Sequence, residues 1–198
     1  MSELVLASGS PRRAELLTQL GLKFKVIAPD IDESTHESEL PEAYVERMAR
    51  SKYKRARQLD NGLKDEDVVL CADTSVVIGS EILGKPIDEQ DGLRMLNRLS
   101  GNSHQVITAV TVGQKEQLSS FIVETIVKFR TLNSEECRSY WKTGEPCDKA
   151  GAYGIQGLGA IFVESLTGSY SNVVGLPLME TAECLKTFNI SVLIPERA

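Results

Sequence analysis

Hydrophobic and polar residues follow one another in blocks along the chain, and the blocks predict its elements. Leu4, Val5, Leu6 and Ala7 form an apolar run of strand length, followed by the small loop Ser8, Gly9, Ser10 and a helix over residues 11–20. Ser10 suits an N-cap, Pro11 the first helical position and Gly21 the C-terminal stop. Residues 24–27 read as a second strand, before an acidic loop through Asp30, Asp32, Glu33 and Glu37. A long helix over residues 41–59 carries an apolar stripe of Val45, Met48, Ala49, Ala56 and Leu59. Residues 68–72 and 75–78 are apolar at consecutive positions on either side of Asp73 and Thr74, the pattern of a strand buried on both faces. Asp88 caps a helix reaching Leu99, and residues 105–112 and 120–129 read as the two long strands of a hairpin. The remaining pattern predicts a helix over 134–142, a glycine-rich loop over 144–159, a strand over 160–164 and a helix over 177–188. Strands and helices mix without strict alternation, which predicts an α/β fold with a mixed, elongated β-sheet flanked by helices. No repeat and no linker divides the chain, so a single domain over residues 1–198 is expected.

Composition narrows the partners. With 198 residues, 41% of them hydrophobic and 25% charged, the chain can bury a sizeable core. No apolar stretch approaches the roughly 20 residues that span a bilayer, and the first residues lack the basic flank and apolar core of a secretory signal. A cytoplasmic location and no membrane partner are expected. Cys71, Cys137, Cys147 and Cys184 form no CxxC pair, so their spacing offers neither a zinc site nor a redox motif. A net charge of −6 argues against a nucleic acid partner held over the whole surface, while leaving room for a local basic pocket. His36 and His104 are far apart, belong to no catalytic set, and are expected at the surface or in loops.

Candidate chemistry begins at Arg12 and Arg13. Cations in the first turn of a helix oppose its dipole by a few tenths to about 1 kcal/mol, so an anion is expected nearby. Free N–H groups at the helix start, the small residues Ser8, Gly9 and Ser10, and two guanidinium groups suit a phosphate. The alternative is that both arginines extend into solvent or pair with surface acids. Lys52 lies on the apolar stripe of its helix and either snorkels to the surface or meets an anion. Asp73, a carboxylate inside a doubly buried strand, needs a metal or a partner, the structural alternative being that it caps a nearby loop or pairs with Lys85 or an arginine. Asp32, Glu33, Asp88 and Asp148 are loop acids, solvated or available to magnesium. The run Gly79 to Lys85 has the spacing of a P-loop, but Pro86 replaces the required Ser or Thr. Lys85 reads instead as a lone basic residue in a hairpin turn.

Arg12, Arg13, Asp73, Thr74, Lys85 and Asp148 fall within a set of segments, ASGSPRR at 7–13, CADTSVV at 71–77, GKP at 84–86, LSG at 99–101, DKAGAYGIQG at 148–157 and GSYSNVVGLPL at 168–178. The set, in this order and spacing from end to end, resembles the Maf family of nucleotide pyrophosphatases. The resemblance implies two lobes around a deep cleft, related to the inosine triphosphatase architecture, and cleavage between the α and β phosphates with a divalent metal cation, magnesium or manganese. AGAYGIQG at 150–157 is similar to the branch acting on dTTP and UTP, whereas the 7-methyl-GTP branch reads more like AGSFKSEG. Carried over residue by residue, Asp73 is the catalytic acid, as base or metal ligand. Arg12, Thr74 and Gln156 govern substrate choice, and Ser8, Arg13, Lys52 and Lys85 line the phosphate end. Beyond the carried-over positions, Glu33 is a candidate second carboxylate beside Asp73 on the metal side. Lys54 is a candidate substitute for Lys52. The implied partner is a nucleoside triphosphate, and a homodimer stays open. The family's link to nucleotide pool sanitation and cell division arrest leaves two alternatives, a 7-methyl-GTP pyrophosphatase and a nucleotide-binding regulator without turnover. Asp73 argues against the regulator, because a binder of a polyanion gains nothing from an acid facing it.

Overall fold

In the computed structural model, which describes residues 2–59 and 62–192, the first apolar run is strand β1 (Leu4–Ala7), leading into helix α1 (Pro11–Gln19). Strand β2 (Phe24–Ile27) and helix α2 (Pro41–Gln58) follow. The apolar runs around Asp73 and Thr74 are one continuous strand, β3 (Val68–Ile78), buried at nearly every position. A short strand β4 (Glu81–Leu83), not foreseen in the sequence, folds back on it antiparallel. Helix α3 (Glu89–Leu99) starts at Asp88, whose side chain accepts Asp91 N as expected of a cap. The hairpin strands β5 (Ser103–Gln114) and β6 (Gln117–Phe129) run longer, with a tighter turn, than their polar ends suggest. Helix α4 (Ser134–Trp141) opens with a capping box between Asn133 and Glu136. The glycine-rich stretch is three 3-10 turns, Glu145–Asp148, Ala150–Ala152 and Leu158–Phe162. The last of these takes up most of the strand expected over 160–164, so β7 (Val163–Thr167) begins later. Helices α5 (Tyr170–Val174), also unforeseen, and α6 (Leu178–Lys186) complete the described chain.

The sheet is mixed, in the order β2-β1-β3-β5-β6-β7, with β4 paired to β3. β1 is parallel to β2 and β3, whereas β7 is antiparallel to β6. The chain divides into two compact units, Met1–Asp73 with Ala109–Ile122 and Gly175–Ala198, and Thr74–Thr108 with Val123–Val174. In the first unit, Val5 and Ala7 of β1 and Val69 and Cys71 of β3 pack with Ala56 of α2. The stripe Val45, Met48, Ala49 and Ala56 is fully buried, as its spacing requires. Gly113 of β5 lets α2 approach, because a Cβ there would lie 2.5 Å from the Tyr53 ring.

The second unit has an aromatic core in which Phe129 meets Tyr153 edge-on at 4.8 Å and Tyr140 meets Phe162 at 4.9 Å. His104 belongs to this core rather than to the surface: it is 2% exposed and its Nε2 lies 2.8 Å from the Tyr153 hydroxyl. Burial pushes its pKa down to about 4, so the ring is neutral at neutral pH. His36 is exposed, as expected. All four cysteines are free, and all but Cys147 are buried. Among the described residues no helix is long and apolar enough to cross a membrane.

Candidate active site

Strand periodicity and helix periodicity together place the central group. Cys71 and Asp73, two apart on β3, share a face, and Cys71 packs on Ala56. Lys52 stands one helical turn before Ala56, so it arrives at Asp73. Its Nζ lies 2.6 Å from Asp73 Oδ1 and 2.8 Å from Glu33 Oε1. The Lys52 and Asp73 side chains are each 12% exposed, against 50% for Glu33. Lys52 therefore meets anions rather than snorkelling, and the partner of Asp73 is neither Lys85 nor an arginine. Lys54 is exposed, so the stripe position belongs to Lys52.

Glu33 is not left to a loose loop. Tyr44 of α2 donates its hydroxyl to Glu33 O at 2.9 Å, and Arg47 holds Ser34 O at 2.9 Å and both Glu39 carboxylate oxygens at 2.6 Å. Burial, then the charges of Asp73 and Glu33, push the Tyr44 hydroxyl up to about 12. Cys71 is pushed up to about 12 by burial, which excludes a thiolate nucleophile.

The turn between β1 and α1 is organised by Ser8 rather than by Ser10. Ser10 has the extended backbone of an N-cap but its side chain makes no cap bond; Ser8 Oγ accepts Ser10 N and Arg13 Nη1, each at 3.2 Å. Arg13 does not extend into solvent. It is 8% exposed and donates from Nε to Gly175 O at 2.8 Å. Burial lowers its pKa and the charge of Asp73 opposes the change, so the guanidinium keeps its charge. Arg12 is half-buried in the same first turn, which contains no acid. Three cations, Arg12, Arg13 and Lys52, thus accompany two carboxylates in this unit.

Thr74, Lys85 and Gln156 lie in the second unit. Thr74 Oγ1 is 2.9 Å from Thr108 Oγ1, and Thr108 Oγ1 donates to Asn172 O at 3.2 Å. A hydroxyl has one proton, and a carbonyl can only accept, so the bond between the two threonines runs from Thr74 to Thr108. Asn172 is fully buried and donates from Nδ2 to Val106 O and Thr125 Oγ1, each at 3.0 Å. Its role went unassigned although it sits inside GSYSNVVGLPL. Lys85 is exposed two residues beyond β4, so it is not in the hairpin turn at Gly79 and Ser80. Gln156 is exposed, and its side chain makes no hydrogen bond among the described residues.

The other loop acids have local duties. Asp32 accepts Ser34 N, Asp88 caps α3, and Asp148 pairs with Lys149 at 2.6 Å. Among the described residues no group of three or more His, Cys, Asp or Glu is placed to hold a metal. Glu33 and Asp73 are the carboxylates that share a site. Two carboxylates fit magnesium or manganese of the kind completed by water and substrate phosphates, rather than an all-protein cage.

A family model described as Maf-like protein matches residues 3–188. The chain is 54% identical over 183 residues to a dTTP/UTP pyrophosphatase of Pseudoalteromonas translucida, covering 92% of this chain and 95% of that one. It is 50% identical over 189 residues to a protein of the same name from Hahella chejuensis, covering 96% and 94%. A third, from Vibrio cholerae, is 50% identical over 188 residues, covering 95% and 99%.

Proposed function

The chain belongs to the Maf-like protein family, and from that premise we propose that it is a metal-dependent nucleoside triphosphate pyrophosphatase. It hydrolyses dTTP and UTP to the monophosphate and pyrophosphate, as a single domain in the cytoplasm. The match over residues 3–188 passes through both units, which supports one domain, and four free thiols suit a reducing compartment. The observation that carries the reading is Lys52 held between Asp73 and Glu33 at 2.6 and 2.8 Å. A structural ion pair needs one acid; a second, half-exposed acid on the same ammonium marks a site that handles charge.

Ser8, Arg12, Arg13, Lys52 and Lys85 supply hydrogen bonds and positive charge for the phosphates. Fixed cations of this kind stabilise the charge that grows on leaving pyrophosphate. Water attacks, the bond between the α and β phosphates breaks, and Asp73 takes the water's proton at Oδ2 while Oδ1 stays on Lys52. Glu33 and Asp73 would hold a divalent cation, which when bound neutralises phosphate charge and lowers the pKa of water. Thr74, Arg12 and Gln156 set the choice of base. Because its proton is directed to Thr108, Thr74 presents an acceptor, which complements N3–H of uracil or thymine.

Pyrophosphate release from dTTP, UTP, CTP, GTP and 7-methyl-GTP, with magnesium or manganese and after chelation, tests the reading. Turnover should be greatest on dTTP and UTP and should vanish on chelation. Nucleotide binding without release under either metal would overturn it, as would preference for 7-methyl-GTP.

A further inference from the structure

Gln156 stands in a turn that no helix or strand contains. Within the turn one backbone bond closes the chain, from Gly157 N to Gly154 O at 3.2 Å. The other anchors converge on a carboxylate. Glu145 accepts Leu158 N at 2.8 Å through Oε2, and Gly159 N at 3.0 Å and the Tyr140 hydroxyl at 2.7 Å through Oε1. Tyr140 Oη in turn accepts Gly154 N at 3.0 Å. The backbone two residues before Gln156 and that two and three residues after it are therefore tied to a single Glu145–Tyr140 pair.

The glycines of the motif are explained by the same contact. A Cβ at Gly157 would lie 2.3 Å from Glu145 Oε2, and one at Gly159 would lie 2.6 Å from Tyr140 Oη. Only a bare backbone can come so close to these oxygens. Burial acts to raise the Glu145 pKa, but the hydrogen bonds from Gly159, Tyr140 and Leu158 outweigh it and hold the carboxyl below its ordinary value. Lys149 Nζ donates to Glu145 O at 2.7 Å, fixing the backbone of the carboxylate as well. Tyr140 is 4% exposed in the aromatic core, so the clamp is anchored to the rigid part of its unit.

We propose that Glu145, acting with Tyr140, is a positioning residue for base recognition: it holds the 154–159 turn so that the Gln156 amide addresses the base from one fixed place. The inference rests on the base-reading role proposed for Gln156. An amide can serve uracil and thymine one way round and cytosine the other. Discrimination then depends on how few poses the turn allows, and Glu145 limits them without touching substrate.

The test is a double-mutant cycle read by kcat/KM on dTTP and dCTP, with Glu145→Gln made in the wild-type and in the Gln156→Ala background. Glutamine turns an NH₂ donor towards a backbone N–H, so the turn loosens. The dTTP to dCTP ratio should fall about tenfold, with KM carrying the loss and kcat within about threefold. In the Gln156→Ala background the same substitution should leave the ratio unchanged. Tyr140→Phe, which releases Gly154 but keeps the carboxylate on Leu158 and Gly159, should lower the ratio less and serves where Glu145→Gln does not fold. Amide hydrogen exchange at residues 157–159 should quicken in both. An unchanged ratio in folded Glu145→Gln, or an equal fall in the Gln156→Ala background, would overturn the positioning role alone. An unchanged ratio in Gln156→Ala would overturn the base-reading role and this inference with it.

Discussion

Replacing Asp73 by Asn separates chemistry from stability, because the structure fixes what each should lose. The variant keeps an oxygen for Lys52 at the 2.6 Å position but removes the charge, and Glu33 at 2.8 Å still neutralises the ammonium. Removing one partner of a buried pair usually costs about 3–5 kcal/mol. Here the surviving hydrogen bond and the second carboxylate reduce that to about 1–2 kcal/mol. For a domain of this size the melting temperature should fall by roughly 2–8 °C. Turnover should fall about 10²–10⁴-fold, the scale of general acid–base catalysis, equivalent to about 2.7–5.5 kcal/mol of lost transition-state stabilisation. Affinity for dTTP should hold or rise, because a negative charge facing a polyanion is gone. Pyrophosphate release at saturating dTTP, calorimetric Kd and thermal melting give the three numbers. A folded variant with kcat within about threefold of the wild type would refute the catalytic assignment, however far its melting temperature moved.

Three further outcomes follow from the site and the core. Arg12→Ala should lose a charge-assisted contact worth about 1.5–3 kcal/mol in kcat/KM while thermal stability holds or rises, since it also relieves the dipole mismatch; lost melting temperature with unchanged kinetics would make Arg12 structural. Gln156→Glu should lower kcat/KM on dTTP and UTP at least tenfold, about 1–3 kcal/mol, by setting an acceptor against O4, and lower it less on guanine nucleotides; an unchanged dTTP to GTP ratio would remove Gln156 from base recognition. His104, depressed from 6.5 to about 4, is neutral in the fold. Between those values the unfolded chain binds the extra proton, so stability present above pH 6.5 is lost as the pH falls, by up to about 3 kcal/mol. Denaturant unfolding across this window should show a shallower slope for His104→Gln, and equal slopes would argue against the shift.

How much of this was legible depended on whether the information is local. The stripe of α2 is local, so Lys52 could be placed on a core-facing row from spacing alone. Which anion it met was not, because that needs the register between α2 and β3. Arg13 illustrates the same limit: its acceptor, Gly175 O, is 162 residues away, and nothing near ASGSPRR announces it. His104 is a different failure. β5 is buried at every position from Val106 to Gly113, and only at its start does it alternate, with His104 and Val106 buried and Ser103 and Gln105 less so. A strand read from Gln105 leaves His104 outside, although extending the alternation by one residue would have turned it inward. The strand expected over 160–164 went wrong for a further reason, since the apolar residues of Leu158–Phe162 serve a 3-10 turn and β7 is a largely polar edge strand with little pattern of its own.

The adjacency of Asp73 and Thr74 has a physical logic that neither residue shows alone. Successive residues of a strand point to opposite faces, so one segment of backbone delivers a carboxylate to Lys52 and a hydroxyl to Thr108. The surroundings of the two differ in kind. Asp73 brings a carboxylate, and its environment is ionic: Lys52 in direct contact and itself paired with Glu33, with Arg13 close enough to feel the field. Thr74 has no charge to offer, and its environment fixes direction instead, through the relay from Thr74 to Thr108 to Asn172 O. A hydroxyl free to rotate would accept from N3–H of thymine and donate to N3 of cytosine equally well. The relay takes away the second option, because reversing Thr74 would leave Thr108 Oγ1, which is fully buried, without its donor. If Thr74 faces the base as proposed, its selectivity is set by Thr108 and Asn172, two residues that need not touch the base, just as the proposed clamp acts on the Gln156 turn from outside the substrate.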